Sequence, residues 1–389
     1  MEISVIFPPK ARDVRLDLLR GIANWAIFLN HMPNNVVNWI TTRNYGFSDG
    51  ADLFVFISGY TAAFVFGRMM RDHGFVIGAT RIWKRVWQLY LAHVVLFVIY
   101  VAAVGYVALR FQFDNIIHEF NVAWLVEHPF VTLIYALLLG FKPVNLDVLP
   151  LYIVLMALFP FALGIMLRRP NLTLLGSLLL YVAARQFGWN LPAYPEGTWF
   201  FNPFCWQFMF CSGAWFALGG GWKLWPLIAS RPFVWFGFGY LLFALVMTLA
   251  ARIEGLRELI PDWLYGAFNP NDKTNLAPFR ALHFGVIALL VTRFLPQDWK
   301  GLEWRVFAPI IKCGQESLRV FCVGVLLSFV GYFLLAAGSG TIVVQLAISV
   351  TGIAMLCGFA YYGEWSKKVD KLIKRPPAPV QMTSPSQAA

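Results

Sequence analysis

Four polar side chains stand in the first apolar stretch, 15-RLDLLRGIANWAIFLNHMPNN-35, at the spacing of one helix face. Asp17, Asn24 and His31 are seven apart, so at about 100° per residue they stack along one side. Arg20 and His31, eleven apart, come back to within roughly 20° after three turns, with a rise of about 16 Å between them. That rise is half the thickness of a bilayer's hydrocarbon core. Charged groups cost roughly 2.5 kcal/mol or more at the centre of a membrane helix, so a stripe of them points to a site. His31 is the base candidate, because neutral imidazole titrates near working pH. Asp52, near the outer end of an antiparallel second helix, suits the carboxylate that orients such an imidazole. Its plainer role is a helix cap, for which Asp49 is equally suited. Arg20 either contacts a ligand or orients Asp17; reaching toward lipid phosphate is its plainer role, as helix–helix hydrogen bonding is for His31.

The elements that position these residues follow from composition. Of 389 residues, 59% are hydrophobic and 13% charged, against about 25% charged in soluble domains. This is an all-α, polytopic transmembrane helix bundle. Its net charge of +11 lies in short basic clusters between apolar runs, as membrane orientation requires, and no nucleic-acid-binding motif accompanies it. Spans are expected near 17–39, 51–70, 86–109, 147–167, 171–187, 201–219, 232–252, 279–296, 316–337 and 342–362. With these ten, the clusters at 68–85, Arg168/Arg169, Lys223/Arg231, Lys300/Arg305/Lys312 and the tail from Lys367 share the cytoplasmic side, with both termini. The short piece 129-PFVTLIYALLLG-140 is then a re-entrant or interfacial helix. Loops 110–146 and 253–278 are long and outward, natural places to meet a large substrate.

Residues 1–365 read as one membrane domain, anchored by an uncleaved first helix, and 366–389 as a basic, then Pro/Ser-rich disordered tail. The five cysteines form no CxxC and read as small core residues. No metal-ligand spacing joins the six histidines: His93 reads as a core histidine, and His73, His118 and His128 as loop residues. Ser58 and Gly59 suit close helix packing.

Four motifs in order carry a resemblance over most of residues 13–365. Arg20, ten residues and then His31 resembles the first-span signature of the acyltransferase-3 superfamily of membrane acyltransferases. The stretch 52-DLFVFISGY-60 is similar to its second-span block, 81-RIWKRVWQLY-90 to its entry to the third span, and 314-GQESLRVF-321 to a late span. Within the superfamily, 48-SDGADLFVFISGY-60 and 269-NPNDKTNLAPFRALHF-284 look most like the osmoregulated periplasmic glucan succinyltransferases.

The resemblance implies an inner-membrane enzyme with no permanently bound cofactor. It would move an acyl group, succinyl by family, from cytoplasmic acyl-coenzyme A to a glucan hydroxyl, with His31 as base. Arg81, Lys84 and Arg85, at i, i+3 and i+4 on one helical face, would meet the donor's phosphates, although topology alone also puts basic residues there. Asn24, Arg280 with His283, and Glu316 with Arg319 are the substrate-binding candidates. Either arginine could meet a dicarboxylic acyl group's free carboxylate, and ion pairing is the plainer role of Glu316 and Arg319. The rival reading is a glycan or organic-anion transporter or flippase, in which Arg20 and His31 handle substrate or protons.

Overall fold

Pro33 fixes the length of the first helix. In the computed structural model, which describes residues 12–113 and 115–373, α1 runs Val14–Asn30 and stops at His31. Proline disfavours helical geometry in the residue before it and has no N–H to donate. The chain continues through Asn34 in the left-handed region (φ 61°) and short 3-10 turns over Val36–Ile40 and Thr42–Asn44. The span expected over 17–39 is therefore a helix only in its first half, and His31 is its C-cap.

Helices occupy the other expected stretches: α2 Gly50–His73, α3 Phe75–Phe111, α4 Pro129–Leu137, α5 Val148–Arg168, α6 Pro170–Phe187, α7 Pro203–Trp215, α8 Arg231–Ala250, α9 Pro278–Phe294, α10 Ala308–Gln315, α11 Ser317–Ala337 and α12 Ile342–Ile373. No β-strand is present among the described residues. Six of the helices (α2, α3, α5, α8, α11 and α12) are long and apolar enough to cross a membrane. Large apolar side chains point outward along them, among them Leu109, Trp235 and Val350, each more than half exposed. A protein that leaves such surface uncovered is built for lipid. At about 14 Å, the nine residues of α4 are too short to span, as expected for 129–140.

Two corrections concern boundaries. The stretch near 201–219 is broken: α7 passes into a π-turn over Phe216–Gly220, where Gly219 takes φ 99°, a conformation glycine adopts without strain. The tail expected from 366 also begins as helix, because α12 continues to Ile373. Lys312 pairs with Glu364 at 2.7 Å and Lys367 with Glu316, so the start of the basic stretch is tied to the bundle. The Pro/Ser-rich tail from 374 and the residues before Arg12 lie outside the described residues.

The helices around the stripe meet backbone to backbone. A methyl group at Gly59 of α2 would lie 1.9 Å from the carbonyl oxygen of Phe210 on α7, and one at Gly213 would lie 2.1 Å from that of Phe56. α1 and α10 make the same kind of contact: a methyl at Gly21 would lie 1.9 Å from Ile310 O, and one at Gly314 1.8 Å from Asp17 O. Small residues at such crossings let membrane helices gain dispersion contacts that side chains would block. Gly59→Ala and Gly314→Ala should each force two helices apart. We expect a loss of about 1–3 kcal/mol or more, read as a lower unfolding temperature in detergent; unchanged stability would count against these contacts.

Candidate functional site

The segment 46–52 is held by the segment 269–283, and the lock begins with a helix cap. Asp49 is the N-cap of α2 and accepts from the Ala51 amide at 2.8 Å, while the Asp52 carboxylate reaches back to the Asp49 amide at 2.8 Å. This reciprocal box satisfies amides that α2 would otherwise leave open. Arg280, one turn into α9, donates to both oxygens of Asp52 at 3.0 and 2.5 Å, lies 3.1 Å from Asp49, and donates to the Phe47 carbonyl at 2.9 Å. Lys273 adds a pair with Asp49 at 2.6 Å, Asn271 donates to Phe47 O at 2.7 Å, and Ser48 Oγ lies 2.8 Å from His283 Nδ1. Asp52 and Arg280 are nine-tenths buried or more.

This geometry corrects two expectations. Asp52 does not orient His31: both its oxygens are taken by Arg280 and the Asp49 amide. Arg280 also lines the cavity that His31 faces, but two carboxylates and a carbonyl already engage it and leave one Nη1 N–H without a partner, so it cannot clasp a ligand carboxylate with two parallel bonds. His283 supports the lock from beneath Gly46, where a methyl group would come within 2.3 Å of its ring.

Above the lock is a cavity of about 610 Å³, walled by His31, Arg43, Asp49, Arg252, Asn271 and Lys273, among others. His31 presents an imidazole whose Nδ1 is buried and has no hydrogen-bond partner. Apart from 30–31, read as mid-span, every segment around it (43–49, 145, 200, 248–252 and 269–280) comes from stretches read as outward-facing loops or helix ends. Arg43 and Arg252 make no ion pair among the described residues; Arg252 stands over the Trp39 ring at 5.0 Å. Sequence reasoning missed Arg43, Arg252 and Lys273. Arg43 and Lys273 sit in polar outer loops, a signal many surface residues share, and Arg252 ends the span expected over 232–252.

A second cavity, of about 580 Å³, opens at the other end of α1, between α1, the 60–65 stretch of α2 and residues 297–303. Arg20 lines it and donates to Thr61 Oγ1 at 2.5 Å and Ile57 O at 3.4 Å, with no ion pair among the described residues. Asp17 is held by Arg12 at 2.6 and 3.1 Å, so Arg20 does not need to orient it. An arginine in a membrane helix without a carboxylate partner, on a cavity wall, is suited to an anionic ligand. The mouth also carries Asp13, Asp298 and Glu303, and Arg12 there is paired with Asp17, so Arg20 is the lining arginine without a carboxylate. Between the two cavities, Asn24 donates to Ser317 Oγ at 3.3 Å, and its own Oδ1 is buried without a partner.

The remaining candidates lie apart. Arg81 and Lys84 are exposed on α3, Arg85 donates to Gln88 at 3.2 Å, and none of the three lines the Arg20 cavity. Glu316 sits at the break between α10 and α11, paired with Lys367 and 3.7 Å from Arg319, which is the ion-pairing role. His93 is buried on α3, but its Nδ1 has no partner, so it is not the satisfied core histidine expected. Cys205, Cys211 and Cys313 are buried, and all five cysteines are free thiols.

A family model described as OpgC protein matches residues 12–368 of the chain. Comparison with curated proteins and with solved structures returned no match.

Removing one partner from a buried ion pair costs about 3–5 kcal/mol, because the other charge is left uncompensated. Asp52→Ala should therefore lower the unfolding temperature in detergent sharply. If Asp52 instead served His31, the variant would keep its stability and lose only turnover.

Proposed function

The chain belongs to the OpgC protein family, and from that premise we propose a membrane O-acyltransferase that moves succinyl from coenzyme A to a hydroxyl of a periplasmic glucan. The observation that carries this reading is the pair of cavities at the two ends of α1. One presents an arginine without a carboxylate partner, the other an imidazole with a free nitrogen. We read the bundle as ten spans in the bacterial inner membrane, with both termini cytoplasmic. The Arg20 cavity then opens inward and the His31 cavity outward.

In this reading the donor enters at the cytoplasmic end, where Arg20 holds an anionic part of it. Arg81, Lys84 and Arg85 lie outside that cavity and remain available to nucleotide phosphates. The pantetheine arm runs along α1 past Asn24, whose open Oδ1 accepts a hydrogen bond from it. His31 takes the proton of a glucan hydroxyl as its oxygen adds to the thioester carbonyl. The C–O bond forms, the C–S bond breaks, and the coenzyme A thiolate leaves with the proton from the imidazolium. Lys273 is the cation suited to the developing oxyanion. Arg43 and Arg252, which have no carboxylate of their own, suit the free carboxylate of succinyl, the role first considered for Arg280 and Arg319.

The test is mass spectrometry of periplasmic glucans from a deletion strain complemented with wild type or His31→Ala at matched membrane levels. Wild type should add succinyl-sized mass, and the variant should lose about 10²-fold or more of it, the share a general base typically supplies. Equal decoration by both would remove His31 from the mechanism. Decoration by neither would remove the glucan assignment.

A further inference from the structure

Beside the His31 cavity lies a smaller one, of about 340 Å³, that neither the acid–base chemistry nor the donor uses. The loop 138–147 and the turn 189–202 build it. The turn is pinned by an isolated bridge between Pro192 and Thr198, and the Tyr194 amide donates to Gly140 O at 3.1 Å, joining the two segments. Its wall includes Trp124 and Tyr194, whose rings meet edge to face with centroids 6.3 Å apart at 71°, making an aromatic corner. Tyr194 is backed by Tyr135, stacked at 4.3 Å and 8°, and Trp124 by His128 at 5.1 Å.

Lys142 and Asp147 complete the wall. The Lys142 side chain is nine-tenths buried, and its ammonium donates only to Leu139 O at 3.1 Å while sitting 3.9 Å above the Trp199 ring. An ammonium has three donors, so two remain for a ligand. The Asp147 carboxylate, which also lines the cavity, is met by its own backbone amide and by no side-chain hydrogen bond or ion pair among the described residues. Both groups belong to the loop before α5, outside the spanning helices. Burial there pushes the Asp147 carboxyl up to about 6 and the Lys142 ammonium down to about 8. An aromatic corner beside one cation and two carboxylates, Asp147 and Glu196, is poorly matched to a simple anion. It suits a neutral ring that has apolar C–H faces and vicinal hydroxyls that both donate and accept. That is a sugar.

The cavity adjoins the acceptor site. Phe200, 48% exposed, lines both cavities, and Asn145 faces the first while Lys142 and Asp147 face the second. We propose that the Trp124–Tyr194–Lys142–Asp147 cavity is a second acceptor subsite, holding one sugar unit of the glucan while a neighbouring unit presents its hydroxyl to His31 across Phe200. This rests on the glucan-acceptor reading above. It makes the enzyme a reader of chain length, with oligomers spanning the Phe200 ridge bound better than short ones.

The experiment is direct binding of glucose, its dimer and longer linear glucose oligomers to the purified full-length protein in detergent, without donor. The wild type, Trp124→Ala and Asp147→Asn are compared, each checked for unchanged unfolding temperature and a single size-exclusion peak. Affinity of the wild type should rise with oligomer length, and each variant should lose about tenfold of that gain, as for removal of one anchoring contact. If both folded variants keep the full gain, or if the wild type binds every length equally or not at all, the subsite is overturned. Acyl transfer is assayed separately with succinyl-coenzyme A. Length-dependent binding that the variants abolish, with no transfer by the wild type, would support the subsite and overturn the transferase reading alone.

Discussion

The charge of Arg280 is matched inside the protein by Asp49 and Asp52, and the rest of the His31 end depends on that match. Three ions removed from water are worth keeping together only if every lone pair and N–H is directed at a partner. Arg280 comes near this through its planar fork, which spans two carboxylates and the Phe47 carbonyl at once and leaves one Nη1 N–H over. The same contacts fix where α2 begins, how the chain turns from Gly46 into it, and where the loop carrying Lys273 sits. The cavity wall is thus a by-product of satisfying a buried charge. A lysine at 280 would offer a point charge where the geometry needs a fork.

α1 works as a ruler. Its polar groups belong to different partners: Asp17 to Arg12, Arg20 to Thr61 of α2, Asn24 to Ser317 of α11, and His31 to the cavity. The stripe is therefore not one network. It is a set of fixed points along a rod, with the helical rise setting about 16 Å between the two that face cavities. Backbone contacts at Gly21 and Gly314 hold the rod against α10 and leave no room for it to slide.

Much of this was legible in the sequence, and the exceptions have physical causes. Hydropathy located the helices because apolar runs in a membrane protein have few other uses. Seven-residue spacing found Asp17, Asn24 and His31 because a helix is periodic. The quoted segments 48–60, 269–284 and 314–321 all prove to touch α1 or to lock the His31 end: Ser48 with His283, Asp49 with Lys273, Asp52 with Arg280, Ser317 with Asn24. What periodicity could not supply was pairing across the bundle. Asp52 looked free to serve His31 because nothing in the local sequence shows that Arg280, 228 residues later, occupies it. Arg43 and Arg252 were invisible for the converse reason: their lack of partners is a property of the folded chain. Pro33 is readable in the sequence, and it ends α1 at Asn30 although apolar residues recur beyond it.

The position of Ser317 has a consequence for how the protein is made. Asn24 and its acceptor are 293 residues apart, and the backbone seat for α1 at Gly314 is as distant. At a synthesis rate of about 5–20 residues per second, the first helix waits roughly 15–60 s for the segment that receives it. Asp17 already has Arg12 and Arg20 meets Thr61 only 41 residues later, but during that interval Asn24 must be tolerated by the insertion machinery or hydrated at the bilayer surface. Full seating of the helix that orders the finished site therefore waits for segments made late in the chain. Its polar groups are a reason for it to remain near the interface until α10 and α11 arrive.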